Sequence, residues 1–138
     1  MNAAVGDDAA ERRARQRFVA TRRGDICFWA MVNGERRPLN DLSLEGFSLP
    51  VSHDLDPGAE FRFVLQREGV PDRIEGHAKV VNQVGEGHTR KAGCRFVELD
   101  EEGVARLKDW LIAHVLASAT VRINEREAAA IVSGPSLI

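Results

Sequence analysis

The fold class this 138-residue sequence predicts is mostly β, a six-stranded antiparallel barrel with a C-terminal helix packed on it and a flexible N-terminal arm. Three observations predict it. Short runs of strand-forming residues recur from Asp25 to Leu99, separated by Gly, Asn, Asp and Pro. Six strands at this spacing indicate a barrel rather than an α/β fold, and closing the sheet removes most exposed edges. After Asp100 the apolar period changes from that of a strand to that of a helix.

Taken in order, residues 1–11 are expected to be disordered. Gly6, Asp7, Asp8 and their small neighbours bury too little surface to offset ordering entropy. Asp25 to Val32 is the first strand, with Ile26, Phe28 and Ala30 on one face and Cys27, Trp29 and Met31 on the other. Asn33-Gly34 is a tight-turn signal, and Arg36 to Asp41 returns as the second strand. Phe47 to Val51 is a short third strand. Glu60 to Gln66 alternates Phe61, Phe63 and Leu65 against Glu60, Arg62 and Gln66. Asp72 to Val84 and Thr89 to Leu99 make the last hairpin, joined at Gly85-Glu86-Gly87.

Asp100 can cap a helix, with Glu101 and Glu102 at its positive end. Val104, Leu107, Leu111 and Val115 form the stripe expected to lie on the barrel, and Trp110 beside it is expected in the core. Barrel and helix together span residues 12–117, and 118–138 is a tail. Within the tail Asn124 and Glu127 resemble a helix start and Ser133-Gly134-Pro135 a stop. Its apolar residues Ile131, Val132, Leu137 and Ile138 need a surface to cover.

Composition narrows the function classes. A hydrophobic share of 43% and a charged share of 29% are ordinary for a water-soluble globular domain. No apolar run is long enough to span a bilayer, and the acidic N-terminus does not read as a signal peptide, so a cytoplasmic location is expected. Cys27 and Cys94 are too few for a disulfide framework or a thiolate metal site and are expected as small buried hydrophobes. His53, His77, His88 and His114 are scattered, without metal-ligand spacing, and are expected at surfaces and hairpins. Neither a metal nor an enzyme activity is expected.

Charge is distributed unevenly. Residues 1–40 hold eight Arg, no Lys and five acidic residues, while the remainder is net acidic. A guanidinium offers a planar fork that meets phosphate or a guanine edge with two bonds at once, which an ammonium cannot do. By itself this cluster reads as a solvated basic tail. Two spacings change that reading: R-x-x-x-R at Arg13 and Arg17, and D-x-S-x-x-G at Asp41, Ser43 and Gly46. Either pattern alone is common. Their order and the strand-rich context that follows are specific.

The pair resembles the signature of PilZ domains, bacterial receptors for the second messenger cyclic di-GMP. The resemblance runs from about residue 11 to 117 and includes Gly93-Cys94-Arg95-Phe96-Val97-Glu98-Leu99 and the helix after it. It implies a Greek-key-type barrel and a ligand with two phosphates and two guanines. Arg13 and Arg17 would close over that ligand from the mobile arm. Asp41 would accept from guanine N1–H and N2, Ser43 would reach a base or phosphate oxygen, and Gly46 would let backbone approach. Arg12, just ahead of the motif, goes in similar proteins with an intercalated ligand dimer; Arg15 is expected to face solvent.

After Val80-Val81 many members carry an aromatic or Arg that stacks on a guanine, whereas this chain has Asn82 and Gln83. With no output domain attached, the effect is expected to pass to a separate effector protein. The alternatives are a ligand-independent interaction module of the same fold and a small nucleic-acid-binding barrel. The acidic remainder of the chain and the lack of Tyr disfavour the second.

Overall fold

A computed structural model of the chain describes residues 15–135. The expected disordered stretch 1–11, Arg12, Arg13, Leu137 and Ile138 lie outside the described residues. The architecture is an eight-stranded curled antiparallel sheet, a half-barrel, with a separate two-stranded hairpin and two helices that follow the strands in sequence.

The strands are β1 (Phe18–Val19), β2 (Thr21–Arg22), β3 (Asp25–Ile26), β4 (Phe28–Val32), β5 (Glu35–Pro38), β6 (Asp41–Leu42), β7 (Gly46–Pro50), β8 (Glu60–Arg67), β9 (Arg73–Val84) and β10 (Lys91–Leu99). Eight of them run in the order β1-β6-β7-β10-β9-β8-β4-β5, and β2 pairs with β3 alone. The six expected strands are all present, two of them divided. The first splits at Cys27, whose N–H is taken by Ala20 O and whose carbonyl accepts from Glu68 N. The second splits at Leu39-Asn40, where the chain crosses from β5 to β6 and Asn40 N bonds Ser48 O. The edge strands are blunted rather than abolished. β1 has two residues, and β5 carries Glu35, Arg36 and Arg37 and ends at Pro38.

Two short hairpins use the same turn chemistry. Asn33 and Gly34 both have positive φ (51° and 82°), as a tight antiparallel turn requires. Arg23 and Gly24 repeat the pattern (56° and 84°) between β2 and β3. Part of the basic cluster is therefore a β-hairpin.

The core is built from the inward faces of these strands. Phe28, Ala30 and Val32 of β4 and Phe61, Phe63 and Leu65 of β8 are buried, in the expected alternation. Phe47 meets Phe61, Phe63 and Phe96 at ring separations of 6.3, 5.4 and 5.8 Å, edge-on or tilted. Cys94 is buried and its thiol is pushed up to about 12 by desolvation; Cys27 is half-buried. On the 52–58 loop, Asp54 accepts two bonds from the Arg37 guanidinium (2.9 and 2.7 Å) and one from Asn33 (2.6 Å). The Arg37 fork holds the Asp54 carboxyl well below the usual carboxylate range.

Helix α1 (Glu101–Ser118) is capped by Asp100, whose carboxylate accepts from Gly103 N. Its buried face is Gly103, Leu107, Trp110, Leu111 and His114. Leu107 and Leu111 of the expected stripe are buried, but its ends lie one residue earlier than expected, at Gly103 and His114: Val104 is 53% exposed and Val115 only half-buried. Gly103 explains the rotation, because a Cβ there would lie 3.0 Å from Ile74 Cγ2, so the helix approaches the sheet through this residue. Trp110 stacks on Phe28 at 6.2 Å, in the core as expected. Helix α2 (Glu125–Ser133) begins with the expected reciprocal cap between Asn124 and Glu127 and buries Ala128 and Val132, while Ile131 stays 38% exposed.

His114 corrects the expectation of surface histidines. It is buried, edge-on to Phe28 at 5.1 Å, and its Nε2 lies 2.8 Å from Val19 O. A carbonyl only accepts, so Nε2 carries the hydrogen. Burial lowers the His114 pKa; the Val19 bond opposes that shift, and the charges of Arg22 and Arg67 add to it. The group stays neutral when folded and takes up a proton more readily when unfolded. Its contribution is full above the unfolded value, about 6.5, and is lost as pH falls through the lowered folded value. Urea midpoints at pH 7.5 and 5.0 should therefore show His114→Gln closing the gap to wild type at the lower pH. Parallel pH profiles for the two proteins would contradict this assignment.

Candidate functional site

The short strands β6 and β7 and the turn between them build one wall of a cleft of about 410 Å³. Asp41 sits in β6 between Val19 of β1 and Ser48 of β7. It is half-buried and lines the cleft, and among the described residues its carboxylate has no hydrogen-bond or ion-pair partner. Two residues on, Ser43 N donates to Gly46 O at 2.8 Å. The Ser43 hydroxyl accepts from Glu45 N (3.1 Å) and Gly46 N (3.3 Å), which ties the turn from inside. It is buried, so in this structure Ser43 shapes the cleft wall rather than projecting into the opening.

Gly46 is required for a reason the sequence did not disclose. A Cβ at this position would lie 2.0 Å from Cys94 O and 3.0 Å from Arg95 Cα. The close approach that glycine permits is to strand β10. Real Cβ atoms do not sit so near backbone, so β7 and β10 keep their spacing only with glycine here.

Arginines supply the opposite charge. Arg17 is exposed and lines the same cleft as Asp41. Arg15, expected to face solvent, lines the cleft as well, and its Nη1 donates to Ser133 O at 3.2 Å at the end of α2. Arg95 adds a third guanidinium from β10. Against these stand the carboxylates of Asp41 and Glu45, so the lining carries a net positive charge. Arg12 and Arg13 lie outside the described residues.

The structure thus brings Arg17, Asp41, Ser43 and Gly46 together. It also adds Ser48, Val81, Gly93 and Arg95, which sequence reasoning did not single out. Alternation with the inward Phe47 and Leu49 was a usable signal for Ser48. Of the two residues that depart from the family pattern, Asn82 lines the cleft and Gln83 does not. Gln83 Nε2 donates to Leu55 O at 3.0 Å, and its Oε1 accepts from Arg90.

A wider depression of about 570 Å³ is bordered by Arg62, Glu75, His77, Glu98 and Asp100. Its acidic balance does not suit a ligand with two phosphates. Among the described residues no group of three or more His, Cys, Asp or Glu could hold a metal ion, and no helix is long and apolar enough to cross a membrane.

The family model for the PilZ domain matches residues 11–113. Among solved structures, the chain is similar to the Bacillus subtilis inhibitor of motility MotI, also called DgrA, with 18% identity over 76% of this chain and 52% of that one and a TM-score of 0.60. It is also similar to Escherichia coli YcgR, solved in complex with c-di-GMP, with 18% identity over 75% and 46% and a TM-score of 0.58. A third is MrkH, described as a c-di-GMP-dependent transcription regulatory factor, with 19% identity over 72% and 49% and a TM-score of 0.56. The chain spans about half the length of these proteins, and the likeness shows the fold. No curated protein matches the sequence.

Proposed function

This chain belongs to the PilZ domain family, and from that premise we propose that it is a receptor for cyclic di-GMP that binds in the cleft between the β6–β7 turn and strands β9 and β10. The observation that carries the reading is the meeting, in one cleft, of three guanidiniums with a half-buried carboxylate that has no described partner. A bis-guanine ligand needs both. Its phosphates and its O6/N7 edges are met by Arg, and its N1–H and N2 amino group by Asp41. YcgR, which shares the fold, was solved with this ligand.

Within this reading Arg13 and Arg17 clamp the ligand from the N-terminal side, and Arg12 adds a fork for a second molecule. Ser43 and Gly46 contribute by holding the wall in place. The entropy cost of fixing the arm is offset by charge-assisted bonds, so occupancy is coupled to the arm's position. A separate effector protein would read that change.

Calorimetric titration of cyclic di-GMP tests the proposal. Wild type should show saturable heat, and Asp41→Ala should bind at least ~10-fold more weakly, the loss expected for one hydrogen-bonded charge. A stoichiometry near two per chain would favour the intercalated dimer, and near one a single molecule. Absence of heat across the titration would remove the receptor reading in favour of a ligand-independent module.

A further inference from the structure

Strand register sets four residues in one row along the cleft. Asp41 of β6 stands opposite Ser48 of β7, Ser48 opposite Gly93 of β10, and Gly93 opposite Asn82 of β9. All four line the cleft. Neighbouring strands are ~4.8 Å apart, so the backbones of Asp41 and Asn82 are separated by at most about 14 Å across the curled sheet. The two ends of the row can therefore meet different bases of one ligand.

The Asn82 end is built in its own way. Pairing between β9 and β10 slips between Gly93 and Cys94, which leaves Val81 as the extra residue of a bulge. A bulge re-aims side chains, and here both Val81 and Asn82 line the cleft, with Val81 51% exposed. The Asn82 amide lies over Gly93, where a Cβ would come within 2.3 Å of Asn82 Oδ1. Among the described residues that amide has no hydrogen-bond partner. Between the two ends sits the Ser48 hydroxyl, buried and likewise without a partner among the described residues.

The two end groups read purines by different rules. A carboxylate only accepts, so Asp41 suits guanine, which offers N1–H and N2–H₂, and is repelled by the N1 lone pair of adenine. An amide carries a donor and an acceptor together. Asn82 can pair adenine at N6 and N7 or, with the amide turned over, guanine at O6 and N1–H. Val81 offers an apolar face to either ring.

We propose, resting on the receptor reading above, that only the Asp41 end of this cleft demands guanine, so that a mixed guanine–adenine cyclic dinucleotide is a second ligand. The test titrates the di-guanine, mixed and di-adenine cyclic dinucleotides into wild type, Asn82→Arg and Asp41→Asn. In wild type the mixed ligand should bind within about tenfold of the di-guanine one, and the di-adenine ligand at least ~100-fold more weakly. Asn82→Arg installs a fork that prefers guanine O6/N7 and should widen the first ratio toward ~100. Asp41→Asn should narrow the preference against di-adenine by ~10-fold.

A wild-type ratio above tenfold overturns the proposal, as does a ratio that Asn82→Arg leaves where it was. In either case the di-guanine titration still stands as evidence for the receptor. Failure of all three ligands to bind removes the receptor reading itself, and this proposal with it.

Discussion

A Gly46→Ala protein should melt about 10 °C below wild type and lose the shape of the cleft walled by the β6–β7 turn. The added Cβ would stand 2.0 Å from Cys94 O, and the atoms it meets are backbone rather than a flexible side-chain tip. Relief requires β7 and β10 to separate where Gly46 pairs with Arg95, next to the bond from Phe96 N to Glu45 O. Overpacking costs ~1–3 kcal/mol, and a backbone clash belongs at the upper end, which for a domain of this size is a shift of about 10 °C. Thermal unfolding followed by circular dichroism measures it. Glu45→Ala, in the same turn and keeping the backbone bond to Phe96 N, should stay within ~2 °C of wild type. Equal melting of Gly46→Ala and wild type would show that the turn does not depend on that approach.

Removing the arginines of the proposed clamp should have the largest effect on the proposed binding. Each charge-assisted, forked contact contributes ~1.5–3 kcal/mol, so Arg13→Ala with Arg17→Ala should weaken cyclic di-GMP binding by ~10² to ~10⁴-fold. Arg17 is exposed, and its loss should leave the melting temperature unchanged. That combination separates a ligand contact from a folding defect. Competition titration against wild type gives the ratio, and an unaltered affinity in the double variant would take the clamp out of the account.

Much of this was legible in the residues because it is local. Strand alternation in 60–66 gave the burial of Phe61, Phe63 and Leu65, and Asn33-Gly34 gave its turn. Asn124 and Glu127 gave the start of α2. The signature residues Arg17, Asp41, Ser43 and Gly46 do share one cleft.

What escaped depends on contacts between distant strands. No pattern in the sequence shows that Gly46 faces Cys94 O, or that Val81 is squeezed out of register. Which of Gly103 and Val104 faces the sheet was decided by how closely α1 approaches Ile74, a tertiary matter. His114 looked like a surface residue because its partner, the Val19 carbonyl, lies 95 positions earlier. The pairing of Arg37 with Asp54 likewise joins a strand to a loop that no spacing rule connects.

The most direct measurement is a ¹H–¹⁵N correlation spectrum of labelled protein during addition of cyclic di-GMP. The largest amide shifts should fall on Asp41, Ser43, Gly46, Asn82 and Gly93, which line the cleft. Shifts gathered instead around Arg62, His77 and Glu98, or a spectrum unchanged at saturating ligand, would contradict this expectation.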